Sequence, residues 1–241
     1  DYNNNHGSIV TPRLAYKWKA TANDILRFNA GTGFRVVNLF TEEHAALTGS
    51  REVIVLEDLK PERSYNANLN YLKKMHANDG SFIALEGTAW YTYFTNSIIP
   101  DYDTNPNQII YKNLNGYSTS KGVSVNADMI FGALKMIVGA TYMDVSKTEN
   151  NTTTRQILTE RYSGTWAISY TFPKAFLDID YTGNLYGPMR LPTLGALDPR
   201  RDESRAYSIQ NIQITFRKLK NIEVYAGVKN LLNWTPAQGN P

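Results

Sequence analysis

Read in steps of two, the chain separates into oily and polar faces. Tyr65, Ala67, Leu69 and Tyr71 fall on one side, and Asn66, Asn68 and Asn70 fall on the other. Gly164, Trp166, Ile168, Tyr170 and Phe172 stand against Thr165, Ala167, Ser169 and Thr171 in the same way. Leu177, Ile179 and Tyr181 oppose Asp178, Asp180 and Thr182, and Leu134, Met136, Val138, Ala140 and Tyr142 oppose Lys135, Ile137, Gly139 and Thr141. Near the end Ile222, Val224, Ala226 and Val228 oppose Glu223, Tyr225, Gly227 and Lys229. A period of two is the mark of half-buried strands. About ten such segments lie near residues 8–19, 24–34, 64–75, 81–95, 108–130, 133–146, 161–172, 175–186, 205–217 and 221–233.

Alternation alone does not separate a soluble sandwich from a sheet in lipid. Length does more. Most segments run to about 11 residues or more, against about 5–6 for a soluble strand and about 9–11 for a tilted membrane strand. The connections also sort themselves. Short turns at 20–23, 76–80, 131–132, 173–174 and 218–220 alternate with long loops at 35–63, 96–107, 147–160 and 187–204. Short turns on one side and long loops on the other predict an outer-membrane barrel, with the short side in the periplasm. Trp18, Trp90, Tyr91, Tyr93, Tyr170, Phe172, Phe176 and Tyr186 fit the aromatic girdles of such a barrel.

Composition narrows the classes further. The 16 Tyr, 9 Phe and 4 Trp suit strands, and the 16 Gly, with Asn, suit turns. The absence of Cys excludes a disulfide framework and any Cys-ligated metal. A net charge of +3, from 25 basic and 22 acidic side chains without a long basic run, gives no support to nucleic-acid binding. No stretch approaches the roughly 20 apolar residues of a spanning helix, a test that barrel strands escape. The sequence opens at Asp1 without a signal peptide, as a fragment or processed product would.

Several segments, in order, resemble the C-terminal barrel of TonB-dependent outer-membrane receptors, especially the Bacteroidetes type. Thr11-Pro12-Arg13-Leu14 opens a strand as the family's Pro-Arg segment does, and Gly33-Phe34-Arg35 resembles the Gly-Phe-Arg before a large external loop. Leu59-Lys60-Pro61-Glu62-Arg63-Ser64-Tyr65-Asn66 is similar to the family's re-entry segment. Tyr186-Gly187-Pro188-Met189 and Gly227-Val228-Lys229-Asn230-Leu231-Leu232-Asn233 match segments near the family's end. Two departures stand out. Leu56-Glu57-Asp58-Leu59 replaces the Asn-Pro-Asp/Asn-Leu of many haem and siderophore receptors, which leaves the substrate class open. The resemblance also leads one to expect a further strand ending in an aromatic residue after the Asn-Leu-Leu-Asn segment, and the sequence to Pro241 does not include it.

The resemblance implies an all-β, antiparallel transmembrane β-barrel fragment of about ten strands out of roughly 22, in the outer membrane of a Gram-negative cell. Plug domain and TonB-contacting segment would lie upstream. Partners would be outer-membrane lipid, the rest of the barrel with its plug, the TonB complex and a surface lipoprotein. The implied function is TonB-dependent import of a scarce nutrient such as an iron chelate, haem or cobalamin. A passive porin and a soluble β-rich binding module are the alternatives.

No enzyme or cofactor is expected. His6, His44 and His76 sit in separate predicted loops, and no glycine-rich cradle precedes a helix. Glu42-Glu43 and Asp202-Glu203 read as solvated loop charges, and Asp101-Tyr102-Asp103 is a thin case for calcium. The candidate substrate contacts are loop residues: Arg35, His44, Arg51, Tyr102, Tyr186 and Arg190, with Arg200 and Arg201 beside them. Arginine suits bidentate recognition of anionic chelates. By resemblance to haem receptors His44 is placed to meet an iron; a loop histidine without a ligand is its simpler reading.

Overall fold

The computed structural model describes residues 2–3, 7–36, 52–101, 104–105, 107–192, 201–219 and 221–235. Sixteen strands lie among them: β1 (Tyr2–Asn3), β2 (Gly7–Ser8), β3 (Arg13–Lys19), β4 (Asp24–Arg35), β5 (Glu52–Val55), β6 (Glu62–His76), β7 (Phe82–Asn96), β8 (Ile98–Asp101), β9 (Gln108–Asn113), β10 (Gly116–Phe131), β11 (Leu134–Glu149), β12 (Thr152–Arg155), β13 (Tyr162–Phe172), β14 (Leu177–Tyr186), β15 (Tyr207–Phe216) and β16 (Val224–Val228). Ten of them form one sheet in the order β16-β15-β14-β13-β11-β10-β7-β6-β4-β3, and β12 pairs with the end of β11. Every step of that path is antiparallel. The sheet is an open arc, with β3 and β16 at its edges among the described residues.

Directly opposed residues share a face, so the register fixes both faces of the arc. Asn70, Thr88, Ser124, Thr141 and Ser163 make one row across β6, β7, β10, β11 and β13. One step away, Leu69, Ala89, Val123, Tyr142 and Tyr162 make a row on the other side. One face is thus polar and the other apolar. The apolar face is open: Tyr16, Tyr65 and Tyr142 are each more than half exposed. Among the buried hydrophobics only Ala84 belongs to the arc.

Each of the ten sequence segments contributes one strand to the arc, but several are trimmed or cut, 205–217 to Tyr207–Phe216 among them. Segment 8–19 joins the arc only from Arg13, because Pro12 has no N–H for the ladder; its carbonyl still accepts from Thr32 N at 3.0 Å. Segment 108–130 is two strands. Leu114 is buried and its N–H donates to Ser97 O, which takes β9 into a different sheet, while β10 starts at Gly116. A Cβ at Gly116 would strike the carbonyl oxygen of Thr148 on β11, so the close start of that pair needs glycine. Segment 175–186 begins two residues late, after a 3-10 turn at Pro173–Ala175 with Phe176 at φ 55°. Segment 221–233 keeps only β16, because Asn230 and Asn233 turn to positive φ.

The loop at 147–160 is largely ladder. β11 runs on to Glu149 and β12 folds back across Asn150-Asn151, both at positive φ as a two-residue hairpin turn requires. His76 is the last residue of β6 rather than a loop residue, and its ring lies 4.9 Å from that of Phe82.

Candidate functional site at the long-loop end

Two of the long connections build a second, smaller sheet. β5 comes from the loop after β4, and β8 and β9 come from the chain between β7 and β10; they pair in the order β5-β9-β8. The β5–β9 pair is parallel and the β8–β9 pair antiparallel. Ile98, Ile109 and Tyr111 form its buried core, with Val53 and Leu59 packed against them. In β9 the buried positions alternate, Ile109 and Tyr111, as in a strand with one covered face.

Three polar side chains fasten this module to the arc. Glu62 is buried and accepts Ile98 N at 2.8 Å and Arg35 Nε at 2.6 Å. Asn96 donates its amide to the carbonyls of Lys60 and Pro61, both at 3.1 Å. Asn113 accepts Lys60 N at 2.9 Å, donates to Asp58 O at 2.8 Å, and gives its own N–H to Glu57 at 2.8 Å. The Leu-Lys-Pro-Glu segment therefore has a physical role: Leu59 to Pro61 lie outside the ladders before β6 begins at Glu62, and the two asparagines give their backbone side-chain partners instead. A carboxylate as buried as Glu62 needs its cation and donors, since removing one partner would leave charge uncompensated.

Beneath the module lies a cavity of about 570 Å³, lined by Gly33, Arg35, Glu62, Ser64, Phe94, Ile98, Tyr111, Ser118 and Ser120 among others. By the register most of its wall residues are on the polar face of the arc. The volume is in the range of small-ligand sites.

A second aromatic feature stands at the same end. Tyr186 stacks on Tyr207 at 4.9 Å, and Tyr207 on Trp234 at 4.0 Å. Trp234 is held there by Asn230, whose Oδ1 accepts Trp234 N at 3.0 Å and whose Nδ2 donates to Trp234 O at 2.8 Å. The Asn-Leu-Leu-Asn segment is thus a stapled turn, anchored further by Asn230 N donating to Asn211 Oδ1.

The sequence-predicted contacts divide. Arg35 lines the cavity, tied to Glu62. Tyr186 belongs to the aromatic stack. Arg190 lies elsewhere, knitting two loops: its carbonyl accepts Leu158 N at 2.8 Å and its guanidinium donates to Arg155 O at 3.2 Å. His44, Arg51, Tyr102 and Arg200 lie outside the described residues. Glu203 is no free loop charge, since Arg155 donates to it at 2.8 Å. Asp101 accepts both the N–H and the hydroxyl of Thr104, and among the described residues no group of three His, Asp or Glu gathers for a metal.

Glu62, Asn96 and Asn113 were not singled out as site residues, although asparagines flanking a long loop are a signal of side-chain repair of loop backbone. Two girdle assignments need correction. Trp90 shares the polar face with Thr88 and Thr92, lies over Gly122, and reaches Ser120 with its indole N–H at 3.4 Å. Tyr186 is likewise on the polar face, in line with Asn184 and Thr182. The parity of Glu86-Thr88-Trp90 and of Thr182-Asn184-Tyr186 carries this in the sequence.

The model of the TonB dependent receptor-like β-barrel family matches residues 1–231. The chain belongs to this family. Its fold is similar to that of several solved receptors. The siderophore receptor PirA from Acinetobacter baumannii aligns at 16% identity and TM-score 0.71 over 95% of this chain and 38% of that one. The FrpB iron transporter from Neisseria meningitidis (F3-3 variant) aligns at 16% and 0.66 over 93% and 34%. A G324V mutant of the ferric enterobactin receptor PfeA from Pseudomonas aeruginosa aligns at 18% and 0.66 over 96% and 36%. The chain thus spans little more than a third of each. Among curated proteins there is no match.

Family membership turns the two faces into environments. The arc is outer-membrane barrel wall of a Gram-negative cell; the apolar face meets lipid, the polar face lines the lumen, and the long loops face outward. This replaces the soluble-module alternative. The lipid belt has charged borders: Lys73 and Asp24 pair at 3.3 Å near the short turns, and Lys121 and Asp144 at 3.7 Å toward the loops. Between the borders, Val123 to Phe131 on β10 gives about 27 Å of strand, or roughly 21 Å of depth at a tilt of about 40°. Trp18, Tyr91, Tyr170 and Phe172 stand exposed on that side.

Proposed function

We propose that this chain is the C-terminal part of a receptor barrel, about strands 12 to 21 of roughly 22, that imports a scarce nutrient by TonB-dependent transport. External loops capture the ligand, and energy delivered through TonB displaces a plug domain encoded outside this chain; no chemistry is done on the ligand. The observation that carries the reading is the cavity of about 570 Å³ beneath the loop module, with Arg35 and Glu62 in its lining. It is an outward-facing, lumen-side recess with a cation at its edge, suited to an anionic ferric chelate.

PirA is a siderophore receptor, FrpB an iron transporter and PfeA a ferric enterobactin receptor, which supports an iron chelate ahead of haem or cobalamin. Arg35 and Tyr186 are the proposed ligand contacts within the described residues; His44, Arg51 and Tyr102 remain proposed on the sequence alone, and Arg190 as a loop brace near the mouth. The Bacteroidetes subtype rests on the motifs alone. The test is growth and radiolabelled uptake by a deletion strain carrying the full-length gene, on ferric siderophore, haem or cobalamin as the limiting nutrient. Energy-dependent uptake of one ligand, lost on deletion of tonB, is the expected result. Uptake that follows the concentration gradient and ignores TonB would make the protein a porin.

A further inference from the structure

The lumen face carries its charge unevenly. By the register Arg13, Lys17 and Lys19 of β3 share that face with Arg27 of β4, and Lys17 stands directly opposite Arg27. Like charges directly opposed across two strands destabilise the pair. Arg27 has turned away, donating to Asn70 at 2.8 Å with Glu86 at 3.9 Å. Nothing among the described residues answers Arg13, Lys17 or Lys19, all of them exposed. Their β4 neighbours on this face are Gly31, Asn29, Arg27 and Ile25, and β6 adds the amides Asn66, Asn68 and Asn70.

Elsewhere on the same face, acids find partners within the wall or close to it. Asp178 takes Arg217 at 2.6 Å and Asp180 takes Ser169 at 2.5 Å. Asp128 is set between two lysines: its row across β7 leads through Ala84 to Lys74, and Lys135 is one pair away on β11. The β3–β4 side of the lumen is therefore a cationic stripe of four with one acid near it, and the rest of the arc is close to balanced.

We propose that this stripe docks an acidic face of a folded polypeptide filling the lumen, the plug of the reading above, so that the plug sits in one rotational setting. The inference rests on that reading. Charge complementarity carries it: Glu86 stands near Arg27 alone, and the other three cations on this side of a confined lumen need anions that the wall's uncharged amides do not supply. The charges fix the orientation of the plug, since turning its acidic face toward Asp178 and Asp180 would set like charges against each other.

The test uses the full-length receptor in planar lipid bilayers, reading KCl conductance under rising urea. Variants are R13E/K17E/K19E and, as a milder companion, R13Q/K17Q/K19Q. The wild type should stay closed without urea and open at lower urea when KCl rises from about 0.1 M to about 1 M, where the screening length falls from about 10 Å to about 3 Å. The charge-reversed protein should leak without urea, about tenfold above wild type, the shift that about 1.4 kcal/mol produces. The Gln variant should open earlier than wild type and lose the salt dependence. It also serves if the reversed one fails to assemble. An unchanged urea threshold and salt response in the Gln variant overturns the proposal. So does a lowered heat stability of the barrel with no change in conductance, which would give the acidic partner to the strand added at the β3 edge. Free conductance of the wild type without urea would instead defeat the plug reading itself.

Discussion

The barrel wall and the loop module are both β-sheet, yet they are held together in opposite ways. The module has an interior: Ile98, Ile109 and Tyr111 are buried against Val53 and Leu59. The wall has none. Its large apolar side chains, Tyr16, Tyr65, Val125 and Tyr142 among them, are exposed on one face, and its ladders carry the backbone hydrogen bonds. Lipid completes the wall from outside, where the module must complete itself from its own side chains. The difference shows which perturbations each part will feel: volume in the module, polarity in the wall.

The largest effect belongs to the module. Ile109→Ala should cost it about 2–5 kcal/mol, the range for removing a buried isoleucine side chain to the Cβ. Hydrogen exchange in β8 and β9 would rise while β10 and β11 keep their protection; equal loss in both parts would contradict two separate supports. Next comes the wall. Val138 is central in the lipid-facing run from Leu134 to Tyr142, and arginine there should cost about 2–4 kcal/mol of folding into lipid. Ile137→Arg, one step along on the lumen face, should cost far less, so equal urea midpoints for the two variants would sink the assignment of faces.

The junction between the parts comes third. Glu62→Gln keeps shape but weakens the bonds to Arg35 and Ile98 N, and about 1–3 kcal/mol should be lost at the junction. The expected sign is faster exchange at Ile98 with an unaltered melting band for the barrel on unheated gels. The smallest effect is in a short turn. The Ser81 N–H and hydroxyl hold the Asp79 carboxyl below its ordinary value. Because the folded value is lowered, this contribution is present above the unfolded value of about 3.9 and lost as pH falls through the folded one. Ser81 amide exchange should lose its extra protection in acid, and Asp79→Ala should show that loss already at neutral pH.

Much of the wall was legible because lipid and lumen impose a strict period of two on every strand. The parity of Asn66-Asn68-Asn70 against Tyr65-Ala67-Leu69-Tyr71 gives the face of each side chain with no tertiary information. Even the misread girdle residues Trp90 and Tyr186 were legible that way, had parity been weighed above aromatic character. The site was far less legible. Arg35 could be named as a loop cation, but its partner Glu62 is 27 residues on, and the Ile98 amide that shares the carboxylate comes from a different loop. Arg190 looked free in sequence and is engaged by a neighbouring loop.

By itself the sequence determined which segments lie in the membrane wall, which side of each faces lipid, and which connections are short, since these follow from solvent contrast at successive residues. Only the tertiary structure decided that segment 108–130 is cut at Leu114, that β5 runs parallel to β9, and that two loops share one apolar core. Those outcomes depend on pairing between residues far apart in the chain, where local periodicity carries no information about which partner a strand will take.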